Sequence, residues 1–118
     1  MIIKQRFLSK KHRSRPGLPL YKPTAIVLYF VDTFDPVTTH YEISRKGEVV
    51  QKVPEHEVVR HSHSKLDYST ISVRLSMPLS IDSLYALKDL RERLNVKSLQ
   101  LGHGDIDWEK FYNDFTIL

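Results

Sequence analysis

The sequence predicts a single α/β domain in which a central mixed β-sheet of about five strands is flanked by helices, and three observations carry that prediction. Ala25-Ile-Val-Leu-Tyr-Phe-Val31 is a continuous apolar run rich in β-branched and aromatic residues, the pattern of a strand buried on both faces. Thr70-Ile-Ser-Val-Arg-Leu75 alternates strictly, with Ile71, Val73 and Leu75 on one side, and reads as a half-buried strand. Ile81, Leu84, Leu87, Leu90 and Leu94 form a stripe at helical spacing behind a capping serine, Ser80 or Ser83, in a helix reaching about Asn95. Strands and helices around one sheet make an α/β architecture.

The remaining elements fit between these. Arg15-Pro-Gly-Leu-Pro-Leu20 is neither helix nor central strand, because each proline lacks an amide donor and fixes its φ. It closes a basic lead-in over residues 1–22, ahead of a domain over residues 23–118. Asp32-Thr-Phe-Asp-Pro36 is a turn. Residues 40–44 and 48–53 form a β-hairpin in which Gly47 supplies the positive φ its loop needs. The polar residues 56–69 read as a long loop, a kind of segment that is usually functional or mobile. Lys97 to Leu101 is a last short strand. Asp107 caps a closing helix that turns Trp108, Phe111, Tyr112 and Phe115 to the core.

Composition narrows the function classes. With 118 residues, 41% apolar and 27% charged, the chain reads as one ordinary globular domain. It has no cysteine, so no thiolate is available as nucleophile or metal ligand, and any metal site must use His, Asp or Glu. The N-terminus has no long apolar run. Neither a signal peptide nor a membrane span is expected, and synthesis in the cytoplasm follows, with release by another route if the protein acts outside it. The first 31 residues hold seven basic groups and no acid, while the rest carries 11 basic and 14 acidic groups. Such an arm could touch an anionic polymer, but it has no interleaved aromatics and reads first as a solvated lead-in.

The residue that stands out is His103. Leu99-Gln-Leu-Gly-His-Gly-Asp-Ile106 delivers it from a strand to a glycine-flanked turn, a usual place for a metal ligand at a cleft mouth. The order of segments around it resembles the type 2 N-acetylmuramoyl-L-alanine amidases, which share their fold with peptidoglycan recognition proteins and phage amidase lysozymes. The matching pieces are Arg15–Leu20 leading to Ala25–Val31, Val37–Ile43 with Arg45–Gln51, Val53-Pro-Glu55, Arg60-His61 before Ser69–Leu75, and Leu101–Ile106 leading to Asp107–Phe111.

That resemblance implies a zinc held by two histidines and a cysteine or aspartate, polarising the amide between N-acetylmuramic acid and L-alanine and activating a water. Residue by residue, the match is partial. Tyr29 stands where the first zinc histidine would be, and His103 matches the second. The loop that carries the third ligand is missing, since Asp105-Ile106-Asp107 runs straight into Trp108. The strand glutamate of one subfamily falls at Arg74, and the tyrosine of another at Thr39. One neutral imidazole does not hold zinc, and Arg74 reverses the charge beside it.

The expectation is therefore an amidase-like domain without activity, leaning away from an enzyme, and kept for binding peptidoglycan fragments or a protein partner. Its cleft would be lined by Tyr29, Thr39, His40, His61, His63, Arg74, His103 and Asp105. No metal or other cofactor is expected. The alternative is an active amidase with a rebuilt site, in which His61 and His63, on one side of an extended segment, join His103 around Zn²⁺ or Ni²⁺. Against that stands the reading of these histidines as polar loop residues, with His40 hydrogen-bonded at the sheet edge. Nucleic-acid binding through the basic arm carries the least weight; it would weaken steeply with salt. A bacterial or phage setting follows from the resemblance alone.

Overall fold

A computed structural model describes residues 1–9, 22–32, 37–59 and 69–118. Among these residues lie six strands and two helices: β1 (Ile3–Gln5), β2 (Ala25–Val31), β3 (Tyr41–Ile43), β4 (Val49–Gln51), β5 (Thr70–Ser76), α1 (Ile81–Leu94), β6 (Ser98–His103) and α2 (Trp108–Thr116). The strands form one mixed sheet in the order β1-β4-β3-β5-β2-β6. β2, β3, β5 and β6 run parallel, β4 turns back antiparallel to β3, and β1 lies parallel to β4. β1 adds a sixth strand that the sequence pattern did not reveal. It comes from the basic lead-in, and backbone bonds from Arg6 to Gln51 and from Leu8 to Lys52 extend its pairing.

The helices cover one face of the sheet. Ile26, Leu28 and Phe30 of β2, Ile71, Val73 and Leu75 of β5, and Tyr41 and Ile43 of β3 meet Leu87 and Leu90 of α1 and Phe111 and Phe115 of α2 in a single core. Phe30 packs edge-on against Phe111 at a centroid distance of 5.0 Å, so α2 is clamped onto the C-terminal end of β2.

Local chemistry explains the element boundaries. Ser80 is the N-cap of α1: its side chain accepts from the Ser83 amide, while the Ser83 hydroxyl accepts from the Ser80 amide, a reciprocal box. Asn95 ends the helix in the left-handed region, at φ 55° and ψ 41°. Asp107 caps α2 through the Lys110 amide. Gly47 turns the β3–β4 hairpin at φ 82°.

Three expectations are corrected. β5 is not half-buried: Thr70, Ser72 and Arg74, on its polar side, are as hidden as its apolar side. Burial there follows from polar partners, since Ser72 bonds to His40 and Arg74 to the Asp32 carbonyl. Ile81 is 57% exposed and outside the buried stripe, which runs through Ser83, Ala86, Leu87 and Leu90. At about 100° per residue Ile81 points away from that row. Tyr112 is exposed for the same reason, on the flank of the Phe111–Phe115 line. The connector at residues 15–20 and most of the loop at 56–69 lie outside the described residues.

Candidate functional site

The register of the parallel strands builds one row of side chains across the sheet. Tyr29 on β2 is level with Arg74 on β5 and with His103 on β6, and Arg74 is level with Glu42 on β3. These residues alternate with the core-facing ones, so the row Glu42–Arg74–Tyr29–His103 sits on the face away from the helices. Three of the expected site residues thus come together, joined by Glu42. The sequence signal for Glu42 was only its polar position between Tyr41 and Ile43.

The two glycines around His103 have separate steric causes. The register of β2 against β6 slips by one residue at Gly102, between the pairs Leu28–Leu101 and Tyr29–His103. A Cβ on Gly102 would lie 2.5 Å from Val27 Cγ1 and 2.9 Å from the Tyr29 ring. The phenol ring therefore leans over the bulge, in the space just before His103. Gly104 adopts φ 136° and passes so close to Phe30 that a Cβ would meet its carbonyl oxygen at 2.8 Å. The turn then leaves the imidazole of His103 exposed at the sheet edge, with Asp105 exposed two residues on.

The other expected residues go elsewhere. Thr39 and His40 are both fully buried and present no surface to a ligand, which corrects their placement in the cleft. Thr39 donates its hydroxyl to the Tyr41 carbonyl at 2.7 Å. His40 Nδ1 accepts from the Ser72 amide at 3.1 Å, and Nε2 is 2.6 Å from the Glu57 carbonyl, to which it donates. An imidazole that accepts at one nitrogen and donates at the other is neutral, a cross-brace between β5 and the Glu57 segment. His61 and His63 lie outside the described residues.

Arg74 is 6% exposed and donates through Nη2 to the Asp32 carbonyl at the end of β2. Tyr29 is 7% exposed. A zinc site needs three protein ligands around an open position. Among the described residues no three His, Asp or Glu side chains converge. At the row itself the candidate donors are the Glu42 carboxylate, the Tyr29 phenol and one exposed imidazole, with the Arg74 guanidinium between the first two. With a single histidine, and its one carboxylate beside a guanidinium, the row as described does not fit the ion.

The fold is that of the type 2 amidases and peptidoglycan recognition proteins. Among solved structures, the N-acetylmuramoyl-L-alanine amidase LysC from Clostridium intestinale superposes with a TM-score of 0.70, at 11% identity over 98% of each chain. PGRP-Hd from Alvinella pompejana gives 0.70 at 12% identity, covering 97% of this chain and 96% of that one. The AmpD structure gives 0.64 at 16% identity over 93% of each. No family model and no curated protein matches the sequence. Among the described residues no helix is long and apolar enough to cross a membrane.

Proposed function

We propose that this chain is an amidase-fold binding protein that does not hydrolyse its ligand, and that it recognises peptidoglycan fragments at the sheet end marked by Tyr29, Arg74 and His103. The observation that carries the reading is the occupied row. Tyr29 leans over Gly102 where a metal-binding side chain would be needed, and the Arg74 guanidinium stands next to it. The Arg74 guanidinium, level with Glu42 on β3 and Tyr29 on β2, is the cation of the row that a ligand carboxylate, such as the lactyl or stem-peptide carboxylate of a muropeptide, would meet. The names of the structural neighbours, amidases and a PGRP, support the same ligand class.

The dialysed protein is expected to carry less than ~0.1 zinc per chain by mass spectrometry. It is expected to release no L-alanyl peptide from muropeptides with zinc supplied, and to be retained on insoluble peptidoglycan. Arg74→Gln should reduce that retention roughly fivefold. Stoichiometric zinc that His103→Ala removes overturns the reading in favour of a rebuilt metal site that recruits His61 or His63.

A protein partner is the second reading, and the exposure of β6 favours it. β6 is an edge strand, and Leu101, at 41% exposure, leaves apolar surface beside its open backbone. Absence of retention on peptidoglycan selects this reading.

A further inference from the structure

Among the described residues, two helices do not roof six strands. α1 runs beside β3, and the sheet continues past it through β4 and β1. The uncovered shelf is a groove of ≈ 550 Å³, walled by β1 on one side, the last turn of α1 on the other, and closed at its end by Pro54 and Glu55. That volume is within the roughly 300–1,000 Å³ of small-molecule sites. Gln5 and Gln51 are paired in register and Gln51 is level with Tyr41, so the floor is on the helix side of the sheet. The row containing His103 is on the opposite face.

We propose that this groove is a second binding site, for a neutral, hydroxyl-rich ligand of the saccharide class. At its floor the Tyr41 hydroxyl donates to Glu55 Oε2 at 2.7 Å, and Gln5 Nε2 donates to Gln51 Oε1 at 3.3 Å. Burial, reinforced by the bond to Glu55, pushes the Tyr41 phenol well above its ordinary range, so it remains a donor. The phenol proton is committed, and the Glu55 carboxylate keeps acceptor capacity for a ligand. Arg93 faces the groove from α1 with no hydrogen bond or ion pair to another described residue, and offers five N–H donors.

Glu55 and Arg93 balance in charge across the groove, and a sugar hydroxyl, donor and acceptor at once, can bond to both. The Gln5 amide adds a further donor and acceptor. Phe7, 47% exposed, and Pro54 supply flat apolar surface for the C–H face of a pyranose ring.

The test is an amide-shift titration of the full chain, labelled with ¹⁵N, using tetra-N-acetylchitotetraose, cellotetraose and maltotetraose separately. At least one sugar is expected to saturate, with shifts at Gln5, Gln51, Glu55 and Arg93 and none at Tyr29 or His103. Glu55→Gln and Arg93→Ala, both at exposed positions, are expected to weaken it at least tenfold, an estimate from losing a charge-assisted hydrogen bond, while the circular dichroism stays native. A flat titration to ~10 mM, which saturates any site tighter than ~1 mM, overturns the proposal. So do shifts confined to the His103 row, or variants that bind as the parent does. The first two outcomes leave the reading of the other face intact.

Discussion

Tyr41 ties core packing to a proton. Its ring belongs to the apolar core, and its hydroxyl reaches Glu55 at the rim of the groove. The folded chain holds that proton to higher pH than the unfolded chain, whose tyrosines titrate near 10. The stabilisation is therefore complete below about pH 10 and is lost as pH rises through the folded value. Tyr41→Phe should cost about 1 kcal/mol at pH ~8, the net worth of one hydrogen bond. The gap to the parent should narrow by pH ~11, as read by urea unfolding at both pH values. His40 teaches the converse. As a sequence letter it fitted both a cleft histidine and one hydrogen-bonded at the sheet edge, and it is a neutral brace between the Ser72 amide and the Glu57 carbonyl. Nothing in residue type or spacing separates those two fates, because both partners are backbone groups distant in the chain.

At the scale of elements, periodicity and caps were legible and strand contacts were not. Ser80, Asn95 and Asp107 sit at the helix ends where their side-chain chemistry places them. The alternation of β5 announced an exposed polar face, but that face is covered, since only the folded sheet brings His40 and the end of β2 against it. The docking of β6 onto β2 depends on Gly102. Gly102→Ala should destabilise the protein by about 2 kcal/mol, because the new methyl must displace Val27 and the Tyr29 ring. Thermal unfolding reads this, and hydrogen exchange should locate the loosening at residues 98–103. An alanine that costs nothing would mean that the ring does not press on the bulge.

Among the described residues the sheet is longer than its helical cover, and β1 extends it. Its three residues are polar or partly exposed, so it adds little core, but it completes the edge and one wall of the groove. Deleting residues 1–8 should cost about 1–2 kcal/mol, from partly buried Ile3 and Leu8 less the entropy of ordering them. The core and the Tyr29–His103 register should persist, as amide shifts would report. A chain that no longer folds would make β1 integral to the domain.

The sequence alone determined the α/β class, the two helices with their caps, five strands and the turn presenting His103, because local propensity and hydrophobic period encode these within a few residues. It also carried the resemblance to a fold that the solved amidase and PGRP structures show. Tertiary structure decided the sixth strand, the burial of Thr39 and His40, and the meeting of Glu42, Arg74, Tyr29 and His103 in one row. It also decided the groove on the other face. Those outcomes depend on register and layer coverage, which pair residues dozens of positions apart, and no local pattern specifies such a pairing.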